Sequence, residues 1–195
     1  MNDFPVVVIG TSAGGLDALR AVLPALPVKL PRSVIVVQHR SADADNFLAE
    51  FFNDCCRLPV AEAEEKELIR PGHIYFAPAA YHLLIERDMS FSLSVDEKVN
   101  FSRPSIDVLF ESAAQACGAR LIGVILTGAN ADGAAGLQTI REAGGLAVVQ
   151  QPVGATAYYM PQAAINAGPV DYIMELAEIS DLIRKPPCPK NTRKY

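Results

Sequence analysis

The chain has 195 residues, of which 50% are hydrophobic and 20% are charged, as expected for one compact globular domain. The formal net charge of −5 argues against bulk attraction to nucleic acid or to an anionic membrane surface. No apolar run approaches the ~20 residues that cross a bilayer, so we expect no direct membrane insertion. Residues 1–5 show no secretory signal, and the 4 cysteines show no C-x-x-C spacing. We therefore expect a cytoplasmic protein with reduced thiols.

The first informative stretch is Val6-Val7-Val8-Ile9 followed by Gly10-Thr11-Ser12-Ala13-Gly14. The β-branched run indicates a buried strand. The turn after it matches G-x-S-x-G, a spacing that presents a serine between a strand and a helix. Glycines on both sides let the backbone turn this sharply. Alone, the turn is compatible with a nucleophilic serine, a phosphate-binding loop or a plain turn.

Apolar periodicity and turn residues predict the remaining elements. In chain order these are a helix from Leu16 that ends at Pro24 and Pro27, a strand over 33–38, a helix over about 45–57, a strand over 60–63, short strands over 74–77, 83–86 and 91–95, a helix over 106–117, a strand over 121–126, a helix over 134–143, a strand over 146–150, a helix over 161–167, a strand over 171–174 and a helix over 176–184. The three short strands between residues 64 and 100 are interpreted as hairpins appended to a main sheet. Phe47, Leu48, Phe51 and Phe52 are expected in the core, and Ser105 is expected to cap the helix that follows it.

Strands that alternate with helices predict an α/β fold. It is a doubly wound, mainly parallel sheet with helices on both faces and an appended antiparallel hairpin region. We expect residues 1–184 to form one domain and residues 185–195, rich in proline and basic residues, to form a disordered tail.

Three predicted strands end at residues that can carry chemistry. Ser12 follows the first strand, His39 follows the second, and Asp132 lies in the loop over 127–133. Sites in doubly wound sheets lie beyond the carboxyl ends of the strands, so these loops should meet at one edge. Acyl transfer needs a nucleophile, a base and an orienting acid. Taken separately, His39 is also compatible with a structural role and Asp132 with a helix cap.

Several segments together resemble the bacterial chemotaxis protein-glutamate methylesterases (the CheB type). These are Ile9-Gly10-Thr11-Ser12-Ala13-Gly14-Gly15, Val37-Gln38-His39, residues 103–110, and residues 123–128 with 132–136. The resemblance implies Ser12 as nucleophile, His39 as general acid and base, and Asp132 as the partner of the histidine, with no metal or cofactor. It further implies hydrolysis of γ-glutamyl methyl esters on the cytoplasmic helices of methyl-accepting chemotaxis receptors. Deamidation of receptor glutamines is implied as a second activity.

The wall beside the nucleophile departs from the usual family pattern. Ala13 replaces a hydroxyl residue, so only its backbone N–H can serve as an oxyanion donor. Arg40 and Ser41 stand in place of Met and Pro, and Ala129 and Asn130 replace Met and Gly. If the glycine of that pattern has a positive φ, asparagine is the substitute that tolerates it best.

We expect a smaller set of residues to contribute to the oxyanion hole or to substrate binding. These are Thr11, Ala13, Ala129 and Arg103. Arg103 is equally compatible with an ion pair to Asp107, one helical turn further along.

The 195 residues include no receiver domain of the kind that precedes the esterase domain in response-regulator members. The resemblance therefore implies a stand-alone or hybrid-type member, or a piece of a longer chain, with a receiver domain or a methyltransferase as possible partner in trans. Two other functions stay open. One is a non-catalytic domain that binds a receptor or a kinase. The other is a nucleotide-binding module, against which the loop lacks both a lysine and G-x-G-x-x-G spacing.

Overall fold

A computed structural model describes residues 6–40 and 47–185. The strands are β1 (Val6–Thr11), β2 (Ser33–Gln38), β3 (Val60–Glu62), β4 (Ile74–Phe76), β5 (His82–Ile85), β6 (Phe91–Ser94), β7 (Leu121–Ile125), β8 (Leu146–Gln150) and β9 (Tyr172–Met174). The helices are α1 (Gly15–Val22), α2 (Phe47–Cys55), α3 (Ile106–Cys117), α4 (Ala134–Glu142), α5 (Tyr159–Ala167) and α6 (Leu176–Arg184). The predicted tail lies outside the described residues, except for Lys185.

Seven of the strands form one parallel sheet in the order β3-β4-β2-β1-β7-β8-β9, and β5 and β6 form a separate antiparallel pair. The predicted doubly wound sheet with an appended hairpin is confirmed. The assignment of the strand at Ile74 to that hairpin region is wrong, because β4 pairs in parallel with both β2 and β3. A three-residue apolar strand carries no sequence pattern that distinguishes these two kinds of pairing.

The uniformly apolar strands are explained by two cores, one on each face of the sheet. Val7 and Ile9 of β1 pack in the core formed with α1, α2 and α6. Val6 and Val8 pack on the opposite face, in the core formed with α3, α4, α5 and the β5–β6 hairpin. Both faces of the central strand are therefore buried, and its end is held rigidly.

The aromatic cluster of α2 is only partly in the core. Phe52 is fully buried, whereas Phe47 is 59% exposed and stacks on the half-buried Phe51. The expectation that Phe47 belongs to the core is wrong. Phe47 is the first residue of α2, and apolar periodicity does not report how deeply each turn of a helix is packed.

The order of the strands places a crevice next to β1. The next strands along the chain, β2, β3 and β4, all lie on one side of β1, with β3 at the edge of the sheet. The chain then crosses to the other side of β1, where β7 pairs with it. Loops that leave β1 and β7 therefore diverge at the carboxyl edge of the sheet, which is where doubly wound folds bind their ligands. Ser12 leaves β1 at this point, His39 leaves β2, and residues 127–133 leave β7.

Candidate active site

The turn that carries Ser12 is sharp and closely packed. Gly14 has φ +76°, and a Cβ on it would lie 2.5 Å from Cβ of Thr156. The N–H of Gly15, which begins α1, donates to the Ser12 carbonyl at 2.9 Å. Glycine is thus required at residue 14 both by its left-handed backbone and by the lack of space. The predicted strand–turn–helix presentation of the serine is confirmed.

Thr127, at the end of β7, ties this turn to the neighbouring loop. Its carbonyl accepts from the Ser12 N–H at 3.0 Å and from the buried Thr11 hydroxyl at 2.8 Å. Its own hydroxyl donates to the Ala13 carbonyl at 2.9 Å and accepts from the Ala157 N–H at 2.8 Å. The turn therefore has its position fixed by backbone and hydroxyl groups that leave the serine hydroxyl uncommitted.

His39 is fixed by the strand it follows. Its N–H donates to the Thr11 carbonyl at 3.0 Å, which continues the pairing of β2 with β1. Gln38 adds a side-chain link, because its Nε2 donates to the carbonyls of Ser12 (2.9 Å) and His39 (3.0 Å). The nucleophile turn and the histidine are thus connected directly to each other.

His39 and Asp132 form the central pair of the site. His39 Nε2 lies 2.8 Å from Asp132 Oδ2, with the histidine side chain 10% exposed and the aspartate fully buried. A carboxylate only accepts hydrogen bonds, so the Nε2 atom carries the proton and the Nδ1 atom has the free lone pair. Nδ1 is therefore the atom that can act as a base.

The Asp132 carboxylate is surrounded by donors. Besides His39, it accepts from Asn100 Nδ2 (2.9 Å), the Ser105 hydroxyl (2.8 Å) and the backbone N–H groups of Ile106 (2.6 Å) and Asp107 (3.2 Å). Burial alone would raise the pKa of Asp132. The hydrogen bonds from His39, Asn100, Ile106 and Ser105 outweigh burial and lower that pKa below its usual range. Asp132 is therefore ionised in the folded protein near neutral pH.

Asp132 and Asp107 cap each other's helices. Asp132, which lies just before α4, accepts from the first N–H groups of α3, and Asp107, in the first turn of α3, accepts from the Gly136 N–H of α4 at 2.6 Å. Asn100 joins the two carboxylates, since its Nδ2 also lies 2.7 Å from Asp107 Oδ2. The expectation that Ser105 caps α3 is wrong: its hydroxyl makes no cap hydrogen bond and donates to Asp132 instead.

Burial also acts on Asp107, with a different outcome. Burial and the nearby Asp132 charge raise the pKa of Asp107, and the hydrogen bonds from Gly136 and Asn100 offset this only in part. The two carboxyl groups are thus unequal. Asp132 is held as the anion, and Asp107 takes up a proton more readily than an exposed aspartate.

Asn130 contacts the base. Its Nδ2 lies 3.2 Å from His39 Nδ1, and its Oδ1 accepts from the Asp132 N–H at 3.2 Å, which fixes the amide so that N–H faces the imidazole. Asn130 is not among the residues at positive φ, so backbone tolerance does not account for asparagine at this position. Within the described residues, no hydrogen bond joins the Ser12 hydroxyl to His39. Asn130 occupies the lone pair instead.

Replacing Asn130 with alanine is expected to speed phosphonylation of Ser12 by a fluorophosphonate, which releases fluoride, about two- to tenfold. A net hydrogen bond of ~0.5–1.5 kcal/mol no longer competes with the serine hydroxyl for Nδ1. The measurement is the second-order labelling rate, together with the ¹⁵N chemical shift of the imidazole Nδ1. Asn166→Ala, on the exposed face of α5, serves as the control and should leave both unchanged. An unchanged or slower rate in Asn130→Ala would contradict this role.

Of the other residues expected near the substrate, two have backbone N–H groups that are not used by the described residues, and two make hydrogen bonds away from the substrate. Ala13 and Ala129 are exposed at the ends of β1 and β7, and neither backbone N–H donates to another described residue, which suits an oxyanion hole. Thr11 is fully buried, and its hydroxyl donates to Thr127, so it holds the loop. Arg103 makes no ion pair with Asp107; its Nη1 donates to the carbonyls of Val95 (2.6 Å) and Asp96 (2.9 Å).

The described residues contain no group of side chains that could hold a metal ion. Among the helices described, none combines the length and the apolar character that crossing a bilayer requires.

Local sequence pattern predicts no role in the site for four residues that contribute to it: Gln38, Asn100, Asp107 and Thr127. All four act through hydrogen bonds to residues of other elements, and Asn100 reaches Asp132 across 32 positions of the chain. Neither periodicity nor turn composition reports such contacts. The nearest available indication is position, since Gln38 and Thr127 adjoin predicted strand ends and Asp107 lies in the first turn of a predicted helix.

Comparison with known proteins places this geometry in a family. A family model described as CheB methylesterase matches residues 7–183. The chain belongs to the CheB methylesterase family.

Related proteins support this membership. A relative from Leptospira interrogans is 51% identical over 180 residues, which are 92% of this chain and 93% of its own. A protein of Bordetella parapertussis named protein-glutamate methylesterase/protein-glutamine glutaminase is 40% identical over 91% of this chain, which spans 52% of that longer protein. The crystal structure of the Thermotoga maritima CheB methylesterase catalytic domain aligns with a TM-score of 0.89 at 32% identity, covering 93% of this chain and 97% of that one. The predicted family and fold are confirmed by these comparisons.

Proposed function

We propose that this CheB-family chain is a serine hydrolase that removes methyl groups from γ-methyl esters of protein glutamates. The observation that carries the proposal is the buried pair His39 Nε2–Asp132 Oδ2 at 2.8 Å, with Nδ1 left as a base beside the strand end that bears Ser12. Family membership supplies the reaction class, and the names of relatives supply the substrate linkage.

In the proposed mechanism, the Ser12 hydroxyl displaces the Asn130 amide from His39 Nδ1 and gives its proton to that atom. The serine oxygen attacks the ester carbonyl, and the negative charge that develops is stabilised by the backbone N–H groups of Ala13 and Ala129. Methanol departs with the proton from Nδ1. Water then attacks the acyl-enzyme by the same route in reverse and releases glutamate. Asp132 stabilises the imidazolium throughout.

The same steps hydrolyse a glutamine side chain, with ammonia in place of methanol as leaving group. The glutaminase activity in the names of relatives supports this second reaction. We propose methyl-accepting chemotaxis receptors, through their cytoplasmic helices, as the protein substrates. A cytoplasmic location follows from that proposal. A receiver domain or a methyltransferase acting in trans stays a prediction.

The test is methanol release. We expect the purified chain to release labelled methanol from a methylated receptor cytoplasmic fragment and to react with a fluorophosphonate at Ser12. Binding of the fragment without methanol release, and without labelling of Ser12, would instead support the non-catalytic alternative. Micromolar binding of ATP or NAD by calorimetry would revive the nucleotide-binding alternative.

A further inference from the structure

A pocket of ≈ 150 Å³ lies beside His39 and is not part of the triad. Its lining consists of His39, Arg40, Ala80, Lys98, Phe101, Ser102, Arg103 and Pro104. Ser12 does not line it, so the pocket adjoins the base and not the reacting carbonyl. A cavity of about this volume holds a ligand of about six non-hydrogen atoms, which is one side chain and not a stretch of polypeptide.

The ionisable residues that line the pocket carry no negative charge, although the whole chain has a net charge of −5. Arg40 is ion-paired with Glu62. Among the described residues, Arg103 donates only to neutral carbonyls, and its buried Nε has no hydrogen-bond partner there. No described residue pairs with the exposed Lys98, and the preceding Asp96 and Glu97 are outside the lining. A carboxylate is the group that complements such a pocket.

Phe101, which lines this pocket, has an unfavourable backbone conformation and an exposed ring. It is 97% exposed, and both it (φ +62°) and Asn100 (φ +51°) have left-handed backbones. The turn is closed by two hydrogen bonds between Val99 and Ser102, at 3.2 and 2.9 Å. Turns with two such residues favour Asn-Gly, so a bulky phenylalanine at the second position is disfavoured. Strain of this kind clusters at ligand-binding sites.

The turn is held from both ends. The Asn100 side chain donates hydrogen bonds to Asp107 and Asp132, and Arg103 donates hydrogen bonds to the carbonyls of residues 95 and 96. The ring is therefore presented on a rigid support that is connected to the catalytic aspartate. A pre-organised aromatic side chain binds a partner with little loss of conformational entropy.

We propose that Lys98, Phe101 and Arg103 form a subsite beside His39 that binds an acidic side chain of the substrate polypeptide next to the methyl ester. This inference rests on the proposed function, because the ester at Ser12 brings the flanking residues of the substrate to this pocket. The acid enters the basic pocket, and the Phe101 ring packs on the backbone and stems of the same segment. The subsite thus selects esters that lie in acidic surroundings.

The test combines enzyme variants with two receptor fragments. One fragment keeps the glutamates within a helical turn of the methyl ester, and the other has them replaced by serine. Lys98→Gln should lower kcat/KM about fivefold on the acidic fragment only, and the loss should shrink at high salt. Phe101→Ala, which keeps the same backbone strain, should raise KM about tenfold on both fragments.

Matched controls lie at the opposite edge of the sheet. Lys29→Gln and Val28→Ala alter exposed residues in the loop before β2 and should change neither substrate's kinetics. Hydrolysis of p-nitrophenyl acetate should be unchanged in all four variants. Equal effects of Lys98→Gln on both fragments, or no effect on either, would overturn the subsite.

The two proposals fail in different ways. If the unaltered protein releases no methanol, the proposed function fails. The subsite is then judged by binding: the Ser12→Ala protein should bind the acidic fragment more tightly than the serine-substituted one, and adding Lys98→Gln should remove the difference. Equal Kd values for the two fragments would overturn the subsite whatever the turnover.

Discussion

Ser12→Ala is expected to lower kcat for methanol release by about six orders of magnitude, the scale seen when a serine hydrolase loses its nucleophile. The change should leave the fold intact. The Ser12 backbone makes the contacts that hold the turn, namely those to Thr127, Gly15 and Gln38, and alanine keeps all of them. The measurements are methanol release, fluorophosphonate labelling and the urea midpoint of unfolding. Normal methanol release by a well-folded Ser12→Ala protein would eliminate the proposed mechanism.

Asp132→Asn is expected to lower kcat by about four orders of magnitude, because an amide no longer fixes the imidazole with its proton on Nε2. It should also lower the free energy of unfolding by about 2–4 kcal/mol. Every group around the Asp132 carboxylate is a hydrogen-bond donor, and the amide nitrogen of asparagine cannot accept. At least one of these donors would therefore lose its partner. Both quantities can be measured on one preparation, by methanol release and by urea unfolding.

The pH dependence of stability gives an independent check on Asp132. Hydrogen bonds hold its pKa below the usual range, so its stabilising contribution is present above the pKa of an unfolded aspartate and is lost as the pH falls through the lowered value. The free energy of unfolding of Asp132→Asn should therefore decline less steeply in acid. Asp107, whose pKa is raised by burial and by the nearby Asp132 charge, contributes the opposite slope in the unaltered protein.

A milder variant separates catalysis from folding if Asp132→Asn is too unstable to assay. Ser105→Ala removes one donor to Asp132 and leaves the His39 contact in place. We expect it to cost about 1 kcal/mol of stability and less than tenfold in kcat. A Ser105→Ala protein as inactive as Asp132→Asn would contradict the role given to the His39–Asp132 contact, which this change leaves in place.

The sequence predicted the elements and the three strand-end residues because both depend on local patterns. Buried parallel strands are uniformly apolar and their carboxyl ends share one edge, so the sequence places Ser12, His39 and Asp132 at the same edge of the sheet. The sequence does not predict which strand the segment at Ile74 pairs with, or that Phe47 is exposed, because strand pairing and depth of packing are set by distant residues. The roles of Asn100 and Asn130 depend on side-chain contacts that no spacing rule encodes.

The reciprocal caps of α3 and α4 have a consequence for the order in which activity appears during folding. Ser12 lies at the end of the first strand, which a ribosome delivers early, although Thr127 later fixes the position of its turn. Asp132 acquires its five donors only after α3 has docked beside α4, since two of them are the first N–H groups of α3. A nascent or partly unfolded chain thus carries a serine without an aligned base. Ester hydrolysis begins only when the last catalytic group is in place.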